Sequence, residues 1–197
     1  MTRFSAPLVL WLSACGAATP PPAVTADGGT PDVRGHWESG CVPNGAQSLS
    51  LTFDIEATTW TLDYDTFGDA ACASPFLTVH IDGPYEIGAP SAVEGAHEAR
   101  FGFDHKTVTP HGDAAVSFLG SLGECGSGTW TDGVAGDVLT AGCLGLGQRS
   151  GSSCSADYDL VSLAADGLHF GQRPADNDMC TPERRPAALS PLALQRR

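Results

Sequence analysis

Apolar and polar residues alternate through most of the chain. Leu49, Leu51, Phe53 and Ile55 interleave with Ser48, Ser50, Thr52, Asp54 and Glu56, the period-two pattern of a strand with one buried face. After Ala57-Thr58-Thr59, Trp60, Leu62 and Tyr64 alternate with Thr61, Asp63 and Asp65, which predicts a hairpin partner. Leu77, Val79 and Ile81 repeat the pattern and are expected to end at Asp82-Gly83-Pro84; Tyr85 and Ile87 then open another strand. Phe101 and Phe103 share a face, as do Val116 and Phe118 ahead of a Gly-rich stretch. Tyr158 to Leu163 and Leu168 to Phe170 flank Asp166-Gly167, a strong hairpin signal. No run of ten or more residues shows a convincing 3.6 period, and 24 Gly and 14 Pro cut the chain into short pieces. The expectation is all-β: one antiparallel domain, barrel-like or a sandwich, of roughly eight to eleven short strands.

The first residues read differently. Arg3 supplies a short positive region, and Ala6 to Leu12 is apolar but too short to span a bilayer. This predicts an export signal over residues 1–14. Leu12-Ser13-Ala14-Cys15 resembles the lipobox of bacterial lipoproteins, in which the cysteine after the cut is acylated. The alternative is an ordinary cleaved signal with an incidental cysteine. The lipobox reading makes Cys15 a lipid anchor and places the protein in the bacterial cell envelope. Gly16 rather than Asp follows the cysteine, which favours the outer membrane. Residues 15–34, rich in Pro, Ala, Thr and Gly, are expected to be a flexible linker.

Charge narrows the partners. Twenty-three acidic residues against ten basic ones give −13, and loss of Arg3 with the signal would give −14. That balance opposes nucleic acid and anionic surfaces. Apart from Cys15 there are six cysteines, Cys41, Cys72, Cys125, Cys143, Cys154 and Cys180. An even number in an exported chain argues for disulfides, and spacing alone leaves all the pairings open.

Candidate chemistry is scarce. His97, His105 and His111 lack the spacing that would place two on one face, and no Cys-x-x-Cys occurs, so no metal site is expected. Asp63-Tyr64-Asp65 begins like a calcium loop, but Phe67 and Ser74 stand where oxygen ligands are needed. No nucleophile elbow, zinc-protease motif or phosphate loop appears, so neither an enzyme nor a cofactor is expected. Arg184-Arg185 could hold a carboxylate or tether its own segment.

Motifs spread over residues 35 to about 192 carry a resemblance. Gly35-His36-Trp37-Glu38-Ser39-Gly40-Cys41 stands at one end. Gly171-Gln172-Arg173-Pro174-Ala175-Asp176 and Thr181-Pro182-Glu183-Arg184-Arg185-Pro186 stand at the other. Between them lie Asp69-Ala70-Ala71-Cys72, Cys125-Gly126-Ser127-Gly128-Thr129-Trp130 and Gly142-Cys143-Leu144-Gly145-Leu146-Gly147. In this order they resemble the adenomatosis polyposis coli down-regulated 1 domain of animal Wnt inhibitors. The resemblance implies one copy of that domain over 35–192, leaving 193–197 as a C-terminal tail. Its pattern includes the first four cysteines only, which implies Cys41–Cys72, Cys125–Cys143 and Cys154–Cys180. It also implies a barrel whose cavity accommodates lipid, including an acyl group carried by a protein.

The activity expected on that basis is non-catalytic binding of a fatty-acyl or other apolar ligand, by a monomer. Leu51, Phe53, Trp60, Leu62 and Leu77 are the candidate lining residues on the earlier strands, with Val79, Phe101, Phe103 and Phe118 after them. Two alternatives remain: a structural or protein-interaction surface domain with a packed interior, and an uncharacterised hydrolase.

The anchor makes a direct prediction. Cys15→Ser should move the protein from the membrane to the soluble fraction on cell fractionation; a variant that stays with the membrane contradicts acylation at Cys15.

Overall fold

The computed structural model describes residues 29–197. The signal over 1–14, the anchor Cys15 and the linker up to residue 28 lie outside the described residues. Eleven strands form one antiparallel sheet that is nearly closed into a barrel. They are β1 (Gly35–Glu38), β2 (Val42–Asn44), β3 (Gln47–Ile55), β4 (Thr59–Phe67), β5 (Pro75–Pro90), β6 (His97–Gly102), β7 (His105–Pro110), β8 (Gly136–Asp137), β9 (Ala156–Ala164), β10 (Gly167–Phe170) and β11 (Gln195–Arg196). The main path runs β10-β9-β6-β5-β4-β3-β1-β11, with β2 on β3, β7 on β5 and β8 on β7. No helix of the described residues is long and apolar enough to cross a membrane.

The alternation read from the sequence sets the registers. Leu51 stands opposite Tyr64, Phe53 opposite Leu62 and Ile55 opposite Trp60, so β3 and β4 share one apolar face. Leu62 in turn lies opposite Ile81 of β5. The intervening polar residues meet on the outer face. There Asp63 is 2.7 Å from His80, Thr78 donates to Asp65 at 2.6 Å, and His105 is 2.9 Å from Asp82.

Three expectations change. Asp82-Gly83-Pro84 does not end a strand, because β5 runs through it for 16 residues. Its first half pairs with β4 and β7, and its second half with β6. Gly83 permits this bend: a Cβ there would lie 2.3 Å from the Gly102 carbonyl oxygen, where two backbones cross. The second change is α1 (Asp113–Ser121), which takes up Val116 and Phe118 in place of the expected strand. Ala115 and Leu119, four apart, are its buried positions, a single helical pair too short to register as a period.

The third is the supposed tail 193–197. Leu194 is 1% exposed and exchanges two backbone hydrogen bonds with Leu168 of β10, at 2.9 and 3.0 Å. The next residues, β11, pair with β1. This last segment therefore sits in the gap between the two ends of the sheet. The domain also begins before residue 35: Val33 is 1% exposed and its carbonyl accepts from Trp37 Nε1 at 2.8 Å.

Disulfides join Cys41 to Cys72, Cys125 to Cys143 and Cys154 to Cys180. The third ties down the 173–186 segment, which crosses the outer face of β9: the Tyr158 N–H donates to the Met179 carbonyl at 2.7 Å. Arg185 of this strap donates to the Asp159 carbonyl at 3.1 Å and pairs with Glu98 at 3.2 Å. Arg184 pairs with Asp176. Both arginines thus tether their own segment.

If the last segment closes the sheet, Leu194→Ala should cost about 2–5 kcal/mol in urea unfolding, the range of a buried leucine truncation. Leu144→Ala, at a site 61% exposed, should cost less than about 0.5 kcal/mol. Equal costs contradict the closing role.

Candidate ligand cavity

Closure leaves a cavity of about 310 Å³ inside the barrel. One wall is the shared apolar face of β3 and β4, contributing Leu51, Phe53, Trp60, Leu62 and Tyr64. Ile81 of β5 and Phe101 of β6 extend it. The opposite side is the seam, with Phe170 at the end of β10 and Leu192 and Leu194 from the closing segment. Four of these residues form a ring cluster. Phe53 and Phe170 stack at 4.4 Å between centroids, Trp60 meets Phe101 edge-on at 5.0 Å, and Phe101 lies 5.6 Å from Phe170. Trp60 Nε1 donates to the Gly102 carbonyl at 3.0 Å, which fixes the indole with its apolar body toward the cavity.

Of the nine lining residues expected, Leu51, Phe53, Trp60, Leu62 and Phe101 meet at this cavity. Leu77 and Val79 are buried on β5 but lie opposite Pro110 and Val108 of β7, in the solid part of the core. Phe103 follows the end of β6 and lies under Lys106, whose Nζ is 3.7 Å from the ring centre. Phe118 sits on α1, 36% exposed and against Phe76 at 5.6 Å, because the buried face of α1 is the Ala115–Leu119 side.

The alternation pattern does not reveal the polar end. Two carboxylates of β9, Asp157 and Asp159, line the cavity, together with Gln172, Arg173 and Ser190. Gln172 and Arg173 belong to the Gly171–Asp176 motif, the one signal in the sequence that marked this region. Arg173 is neutralised: Nη2 donates to Asp157 and Nη1 donates to Asn177 Oδ1 at 2.9 Å. Asp159 is 6% exposed, and its Oδ1 accepts backbone N–H groups from Leu160 at 2.7 Å and Gly171 at 2.9 Å. Gly171 is needed for that contact, since a Cβ there would lie 2.4 Å from Asp159 Oδ1. Burial pushes the Asp159 carboxyl up to about 6, against the opposing pull of Arg173.

Lys106, the chain's sole lysine, lies behind this end and is 3% exposed. Its ammonium donates to the Arg149 carbonyl at 3.5 Å, and burial pulls its pKa down to about 8. A second cavity of about 20 Å³ separates it from Asp157 and Arg173. Among the described residues no group of three or more His, Cys, Asp or Glu side chains is placed to hold a metal ion. No protein-family model matches the chain, and no curated protein matches it.

The buried acid links pH to stability. A carboxyl raised in the folded state holds its proton more tightly there than when unfolded. Its stabilising contribution is therefore complete below the ordinary carboxylate range and lost as pH rises through about 6. Asp159→Asn keeps an oxygen acceptor for both backbone N–H groups and removes the charge. Relative to wild type, the variant should gain about 1 kcal/mol of stability between about pH 5 and pH 8 in urea unfolding. A difference that does not change with pH contradicts the raised pKa.

Proposed function

We propose that this protein is a non-catalytic binding module of the bacterial cell envelope that holds a fatty-acyl chain or another apolar molecule inside its barrel. On this reading it is a single-copy member of the adenomatosis polyposis coli down-regulated 1 domain family that its motifs resemble. Cys15 anchors it to the membrane, and its ligand is a free lipid or an acyl group on a protein.

The observation that carries the reading is the aromatic-walled cavity of about 310 Å³. Its size falls at the lower end of small-molecule sites, which are largely apolar with a few convergent polar groups. The rings of Phe53, Trp60, Phe101 and Phe170 wall the cavity without filling it, which favours a space kept for an occupant over an interior meant only to be packed.

Burying ten methylenes contributes about 8 kcal/mol before association costs of roughly 4–15 kcal/mol are subtracted. At the smallest of these costs about 4 kcal/mol remains, so the chain alone supports roughly millimolar affinity and polar contacts must supply anything tighter; larger probes gain only if the seam yields. Calorimetric titration with 1-decanol should therefore show saturable binding at one site. Leu62→Trp, which fills the cavity from its wall, should weaken that binding at least tenfold while far-ultraviolet circular dichroism stays β-rich. Absence of saturable binding, or equal binding by the filled variant, returns the protein to the packed surface-domain class.

A further inference from the structure

The cavity is not apolar throughout, and one of its polar groups is a buried carboxylate with an oxygen left for a ligand. Arg173 resembles an anchor for an anionic head group, but its charge is already matched by Asp157, and Asn177 takes a second N–H. Lys106 does not line the main cavity. Ser190 Oγ accepts from the Leu192 N–H at 3.2 Å and is a neutral group, as is Gln172. Asp159 is different. Both of its backbone partners converge on Oδ1, and among the described residues no hydrogen bond or ion pair reaches Oδ2. The side chain is buried to within 6% and lines the cavity. Oδ2 has no protein donor and faces the cavity, so a donor carried by a ligand can take the place of water there.

We propose that Asp159 forms a head-group subsite at the polar end of the cavity, selecting apolar chains that end in a hydrogen-bond donor, a hydroxyl or an ammonium, over chains that end in an ionised carboxylate. The inference rests on the cavity being a ligand site, as proposed above, and adds the chemistry of the ligand's end. A hydroxyl or ammonium placed at Oδ2 would make a charge-assisted hydrogen bond. A carboxylate there would meet the Asp159 charge, and the nearby Arg173 charge is already paired with Asp157, two residues along the same strand. Ionised at neutral pH, Asp159 acts as an acceptor.

The test compares three probes with the same chain, 1-decanol, decylammonium and decanoate, titrated calorimetrically into the full-length protein near pH 7.5 in moderate salt. Decanol and decylammonium should each bind at least tenfold more tightly than decanoate. In Asp159→Asn the ammonium should lose most of that advantage, while attraction to the acidic surface as a whole would survive the substitution. Decanoate binding as tightly as the other two overturns the head-group assignment and leaves the cavity reading standing. A ranking unchanged in Asp159→Asn does the same. Failure of all three probes to bind overturns both. The wild-type ranking does not depend on the variant folding.

Discussion

The two backbone hydrogen bonds between Leu168 and Leu194 join strands from opposite ends of the sheet path. Without the closing segment that carries them, β10 and β1 would each present unpaired N–H and C=O groups along an edge, the usual route to aggregation. With them the inner faces of β3, β4, β6 and β9 are drawn around one interior. The cavity depends on the same contact, because Phe170, Leu192 and Leu194 are both seam and wall. Backbone pairing here does what a thicker hydrophobic core does in larger proteins. The three disulfides secure surrounding loops, leaving the seam to noncovalent pairing.

Much of this was legible from alternation alone. The faces of β3 and β4, the Asp166-Gly167 hairpin and the outward Asp63 and Asp65 follow from period two, because one-sided burial leaves a clear pattern in sequence. The failures have separate physical causes. Asp82-Gly83-Pro84 has the composition of a turn, yet glycine also serves where two backbones must cross, and local sequence does not separate those uses. Helix α1 packs through only two buried residues, and tertiary contact stabilises it where periodicity is too brief to see. Leu192 and Leu194 sit in a short segment with no alternation, and their burial comes from strands far away in sequence.

The site was half legible for a similar reason. Leu51, Phe53, Trp60, Leu62 and Phe101 lie on regular strands whose inward faces alternation marks. Asp157 and Asp159 also face inward, but period two assigns carboxylates to solvent, and nothing nearby in sequence announces a barrel interior. Only the Gly171–Asp176 motif pointed to that end, through Gln172 and Arg173. The chain's acidity, by contrast, resides largely on the outside, where Asp54, Asp63, Asp82 and Asp166 each meet a histidine.

One strand belongs to two compartments. The first half of β5 carries Leu77 and Val79 into the solid core beside β7, and Ile81 faces the cavity just before the bend at Gly83. The second half leads away alongside β6. Val79 stands opposite Tyr64 of the cavity wall, so the two compartments share a neighbour as well as a strand. Substitutions in the solid core and in the cavity wall will therefore not combine additively when both act on this strand. A change that refits the cavity to another occupant is felt beside β7 as well.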